Sequence, residues 1–194
     1  MEQSFAEIIE SNLGNYLAQA WDIEKPPIFG SLVEVEINNK KIYGIVTSVA
    51  TKSIDSTHYP FIYKKTEEEL KRDQPQIFEF LKTIFNVSII GYSENNSKIY
   101  YQIPDSAVKI HKFVKKCNLE VERVVFSQTN FLSVLFSNNI DNIDELLLVI
   151  LSNLNNKKLI SQKYIENFCY DFSLLSGNDY KRLKLFLKRV QNIY

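Results

Sequence analysis

The chain has 194 residues, 45% of them hydrophobic and 24% charged, with a formal net charge of zero. That length supports one domain with a real core, or a small domain plus an appendage. The charge balance argues against a general polyanion binder, and no apolar run reaches the roughly eighteen residues of a membrane-spanning helix. Two cysteines, Cys117 and Cys169, are too few for a disulfide framework. Together with an acidic N-terminus that lacks a signal-peptide pattern, they point to the cytoplasm. The charge is divided: residues 1–104 carry 10 basic and 14 acidic groups, and residues 105–194 carry 13 and 9.

Residues 2–12 read as a short helix, with Phe5, Ile8 and Ile9 on one face and Asn12 and Gly14 ending it. Tyr16 to Trp21 alternates as a first strand, with Tyr16, Ala18 and Ala20 on one side. Pro26-Pro27 then breaks the chain. The run Leu32 to Val49 is the clearest element, two strands about an Asn38-Asn39 turn. Val33, Val35 and Ile37 share one face, and asparagine tolerates the positive φ such a turn needs. Gly44 inside the second strand predicts a bend or bulge.

Residues 50–63 form a loop long enough to suggest a function. Thr66-Glu67-Glu68-Glu69 is a capping box that starts a helical insert over 66–85. Its Ile77, Phe78, Leu81, Ile84 and Phe85 make one stripe expected to pack on the sheet, with Ile77, Leu81 and Phe85 buried together. Val87 to Tyr92 and Lys98 to Ile103 predict a second hairpin ended by Pro104. The fold class is therefore α+β, with a small antiparallel barrel over 14–104 and a mainly helical region over 105–194. In the second part, Val108 to Cys117 fits a helix or an extended segment, and β-branched Val121 to Phe126 fits a last strand. Residues 130–136, 143–154, 161–172 and 179–193 read as helices, with Asp141 or Asn142 capping the second.

No constellation for catalysis, cofactor or metal is evident, and a non-enzyme is expected. Asp55 and His58 could form an acid–base pair, but a loop histidine without a role is the simpler reading. His111 and Cys117 fit no metal-ligand spacing, Cys169 suits a small buried role, and Glu67, Glu68 and Glu69 suit a capped first turn. No phosphate-binding loop or hydrolase motif occurs. The last helix places Lys181, Lys184 and Lys188 on one face, with Arg182 and Arg189 nearby, a candidate nucleic-acid contact.

The order Leu17-Ala18-Gln19-Ala20, Pro26-Pro27-Ile28-Phe29-Gly30-Ser31-Leu32-Val33 and Ile42-Tyr43-Gly44-Ile45-Val46 resembles the HAS-barrel. This small β-barrel lies at the N-terminus of HerA-type DNA-translocating ATPases and of rotary ATP synthase ring subunits. The resemblance continues through Val49-Ala50-Thr51, Ile54-Asp55, Asp73-Gln74-Pro75-Gln76, Ile89-Ile90-Gly91-Tyr92 and Ile110-His111-Lys112-Phe113-Val114. It implies an assembly or adaptor module that docks on a protein partner such as a HerA-like ATPase. It carries over no catalytic residues, and the P-loop domain of those ATPases has no counterpart here. One departure is that the resemblance leads one to expect a basic residue before Pro60, where only His58 is near. Nucleic-acid binding through the last helix is the alternative function.

Overall fold

The computed structural model describes residues 4–193 apart from 56, 58, 96, 97 and 178. Seven strands come first: β1 (Ser4–Ser11), β2 (Asn15–Ala20), β3 (Leu32–Ile37), β4 (Lys40–Ser53), β5 (Leu81–Glu94), β6 (Ile99–Tyr100) and β7 (Phe113–Lys116). Helix α1 (Glu67–Asp73) and a 3-10 turn (Pro75–Phe80) interrupt them between β4 and β5. Helices α2 (Leu119–Val125), α3 (Phe131–Ser137), α4 (Ile143–Asn156), α5 (Gln162–Leu175) and α6 (Tyr180–Val190) follow.

The strands pair antiparallel in the order β2-β1-β7-β3-β4-β5, and β2 returns to β5. Six strands thus close a barrel, which removes the sheet edges along most of its wall. Its interior is filled by the inward half of each alternation. Ala6 and Ile8, Tyr16 and Ala18, Val33 and Val35, Val87 and Ile89, and Val114 all meet there, fully buried or nearly so. The Asn38-Asn39 turn forms as expected, with Asn38 at φ 53°. The register of β4 against β5 shifts at Tyr43/Gly44 and again at Val46/Ser48, the bulges that Gly44 announces. A Cβ on Gly44 would lie 2.4 Å from Val87 Cγ1, so only glycine fits this crossing unless Val87 moves.

A second core covers the outer face of β3, β4 and β5. Leu32, Tyr43, Ile45 and Ile90 from the barrel pack with Phe131, Leu135, Leu147, Leu151, Phe168, Phe172 and Phe186 from the helices. The side-chain amide of Asn138, after α3, also donates to Ser88 Oγ at 2.8 Å. The helices are therefore fused to the barrel wall rather than tethered to it.

Four expectations change. Residues 2–12 are not helical: β1 sits between β2 and β7, and ladder bonds on both sides outweigh the apolar spacing. The helix over 66–85 is shorter. Its capping box forms, with Thr66 Oγ1 accepting from the Glu69 N–H and the Glu69 carboxylate accepting from the Thr66 N–H. It ends at Asp73, and Leu81–Glu94 is strand because β2 and β4 both pair with it. Leu81 is then only half-buried while Phe85 fills the barrel, so the expected cluster with Ile77 does not form. Val121 to Phe126 is helix, not strand: Asn118 caps α2 by accepting from the Val121 N–H. Finally, the barrel strands run from Ser4 to Lys116, so boundaries at 14 and 104 omit β1 and β7. The helices near 130, 143, 161 and 179 form as expected. Asn142 precedes α4 in the left-handed region and makes no side-chain cap.

Candidate docking surface

β4 and β5 are each 14 residues long, and their Thr51–Ser53 and Leu81–Thr83 ends run past the strands that flank them. β3 pairs with β4 only as far as Ile45, and β2 pairs with β5 only as far as Ile84. Beyond these positions β4 and β5 continue with only each other as described strand partners: Thr51 faces Thr83, Lys52 faces Lys82 and Ser53 faces Leu81. A hydroxyl contact of 2.8 Å between Thr51 and Thr83 and a bond from the Ile54 N–H to the Phe80 carbonyl, also 2.8 Å, hold this two-stranded arm together.

The loop at its tip carries apolar side chains into solvent. Tyr59 is 97% exposed, Phe61 85% and Ile62 89%, with Phe80 at 65% on the return. Isolated exposed apolar residues are ordinary, but a group of them close in sequence on one loop makes this loop the candidate interaction surface. The face of the arm also holds a hollow of about 590 Å³, lined among others by Lys52, Tyr59, Pro60, Lys82 and Ile84. Helix α1 has no buried residue and is tied down by Lys71, which bridges Glu24 and Glu67 at 2.5 and 2.8 Å. Those two carboxylates hold the Lys71 ammonium above its usual range.

The candidate chemical groups do not converge. His58 lies outside the described residues. Asp55 Oδ1 accepts from the Thr57 N–H at 2.8 Å and hydroxyl at 2.6 Å, which fits a turn rather than a base. Glu69 is occupied in the capping box, and hydrogen bonds from Thr66 lower its carboxyl pKa. His111 Nδ1 meets Glu7 Oε1 at 2.5 Å on the surface. Cys117 Sγ lies 3.9 Å from Oε2 of the buried Glu34. Burial pushes the Cys169 thiol up to about 11, which makes it a poor nucleophile near neutral pH. Among the described residues no three metal-ligating side chains cluster.

The basic helix divides in two. Arg182 turns to α4, where its Nε lies 2.9 Å from Asp144 Oδ2 and its Nη2 2.6 Å from Oδ1, with its guanidinium over the rings of Phe136 and Phe172. Arg189 pairs in the same way with Glu145. Lys181, Lys184 and Lys188 are exposed and carry no ion pair among the described residues. Lys181 and Lys188 border a groove of about 710 Å³ between α4 and α6, with Ile140, Ile143 and Leu185 among its apolar lining.

A family model, the HAS barrel domain, matches residues 5–95, which span β1 to β5. The barrel is a HAS-barrel domain. No curated protein matches the chain. In this HAS barrel the wall is closed by β7, which lies beyond the matched residues, and the arm lies within them. Sequence reasoning marked residues 50–63 as a long loop but missed the arm, because the strand residues 81–85 read as helix. The signal was the string Tyr59-Pro60-Phe61-Ile62-Tyr63, too apolar for an idle loop. No helix is long and apolar enough to cross a membrane among the described residues.

Proposed function

We propose that this protein is a non-enzymatic assembly or adaptor module that docks through its HAS barrel, with a HerA-like DNA-processing ATPase as the partner. The observation that carries the reading is the projecting arm. One flank of the barrel is fused to the protein's own helices, while β4 and β5 extend past the wall and present Tyr59, Phe61, Ile62 and Phe80 to solvent. Such a division suits a rigid body that offers one surface outward. The engagement of Asp55 and Glu69 in local structure supports a binding role over acid–base chemistry.

The test is capture from native cells with a tag at the C-terminus, comparing wild type with Phe61→Ser/Ile62→Ser. Recovery of an ATPase by wild type and its loss with the variant is the expected result. An ATPase retained by both, or a wild-type catch without any ATPase, refutes the reading.

A second reading, nucleic-acid binding, is favoured by the three aligned, exposed lysines of α6. It is weakened because Arg182 and Arg189, the better phosphate forks, are already spent on Asp144 and Glu145.

A further inference from the structure

The arm has an open edge. On the side of β4 away from β5, the last main-chain bonds run from Gly30 N–H to the Val46 carbonyl and from Val46 N–H to the Ser31 carbonyl. Residues 47–53 have no strand neighbour there among the described residues. The bond from Ile54 N–H to the Phe80 carbonyl sets the alternation of the ladder. The peptide groups of Val49, Thr51 and Ser53 therefore aim outward, away from β5. Such a row is a template for one further strand.

The same stretch carries an unbalanced charge. Lys52 and Lys82 stand directly opposite each other across the ladder, on the face that also bears Ile84. Neither has an ion-pair partner among the described residues. Like charges in register destabilise a sheet, and an anion brought alongside relieves that cost.

We propose that this edge is a docking site for an extended, acidic segment of a partner protein. The segment adds as a strand to residues 47–53, sets a carboxylate beside Lys52, and gains from Lys82 one strand further on. The inference deepens the adaptor reading and rests on it. The open peptide groups favour a polypeptide over a lipid surface, since acyl chains offer them no hydrogen bonds. Charge argues against a second copy: two arms paired edge to edge would gather two Lys52 and two Lys82 on one continuous face.

The experiment selects displayed random peptides on the full-length protein and measures the winners by fluorescence anisotropy against wild type and Lys52→Glu. Supporting results are winners rich in Asp or Glu with alternating β-branched residues, binding weakened about tenfold or more by Lys52→Glu, and loss of binding when alternate peptide amides are N-methylated. Thermal unfolding supplies the fold control. Lys52→Glu should raise the melting temperature, because it turns a repulsive pair into an attractive one. A weaker binder that is a more stable protein cannot be explained by misfolding. Winners without acid, or acidic winners indifferent to Lys52→Glu or to N-methylation, overturn the proposal. So does binding to phosphatidylserine vesicles in place of peptides, or a dimer by mass that Lys52→Glu dissolves. The capture experiment separates the two failures. A partner held equally by wild type and Lys52→Glu ends this inference and leaves the adaptor reading, whereas no captured ATPase ends the adaptor reading while the peptides still judge the edge.

Discussion

Replacing Phe186 with alanine tests whether barrel and helices form one cooperative body. Phe186 is 2% exposed and is one of only two buried residues of α6. Its ring stacks on Phe172 at 4.0 Å and lies 6.4 Å from Phe168. Truncating a buried phenylalanine costs about 3–5 kcal/mol from lost transfer energy and the cavity left behind. With a urea slope of about 2 kcal/mol/M, the unfolding midpoint should fall by about 1.5–2.5 M. At about 2–4 °C per kcal/mol for a chain of this size, the melting temperature should fall by roughly 6–20 °C. Two probes report the barrel and the helices separately. The single tryptophan, Trp21, sits edge-on to Phe113 of β7 at 5.2 Å and reports the barrel. Circular dichroism at 222 nm mostly reports the helices. Phe186 shares its core with Leu32, Tyr43, Ile45 and Ile90 of the barrel wall, so both transitions should shift together. A fluorescence midpoint that stays put while the helical signal moves refutes the shared core. So does a loss below about 1 kcal/mol, which would place Phe186 outside any tight packing.

Gly44→Ala should cost about 1–3 kcal/mol through the clash with Val87 Cγ1, and adding Val87→Ala should return part of that loss in a double-mutant cycle read by urea titration. Alkylation of Cys169 by iodoacetamide should rise with pH along a curve centred near 11, because burial disfavours its thiolate; a curve centred near 8.5 would mean an accessible thiol. Acid should loosen α6. Arg189 holds the Glu145 carboxyl below its usual value, so this link is intact above the unfolded pKa and is lost as pH falls through the lowered one. The helical signal should therefore decline below about pH 4, the ordinary carboxyl range, and Glu145→Gln should remove part of that decline. Lys181→Gln/Lys184→Gln/Lys188→Gln decides the nucleic-acid reading. If these lysines meet phosphates, the log–log salt slope of duplex binding should flatten by about two to three; if they are merely solvated, wild type should show no binding at moderate salt.

The barrel was legible where period-2 alternation met a turn signal. Val33, Val35 and Ile37 facing inward across Asn38-Asn39 left one solution, and the structure has it. It was illegible where a segment satisfied both periods. Phe5, Ile8 and Ile9 fit a helical face, yet Ile8 points inward and Ile9 is 40% exposed; partners more than a hundred residues away in β7 decide the matter. Ile77, Leu81, Ile84 and Phe85 matched a helical stripe by the same ambiguity, and the ladders from β2 and β4 override it. The surface followed similar logic. The lysines of α6 could be aligned from spacing alone. The capture of Arg182 and Arg189 by Asp144 and Glu145 depends on how α4 and α6 cross, which no local pattern encodes. The facing of Lys52 and Lys82 needed the register of a strand that had read as helix.

The position of β7 carries a consequence for how the chain is made. Ser4 pairs with Lys115 and Val33 with Lys116, so the wall between β1 and β3 is open until those late residues exist. Contacts so distant in sequence make closure slow, because the loop entropy must be overcome before the ladder repays it. As the chain emerges, at about 5–20 residues per second, the β1–β2 and β3–β4 hairpins are complete while their facing edges still lack the strand that joins them. During that interval the nascent barrel exposes the facing edges of β1 and β3, whereas in the finished one those two edges are paired and the arm keeps its own. Strand β7, with only four residues, acts as the latch that converts one into the other.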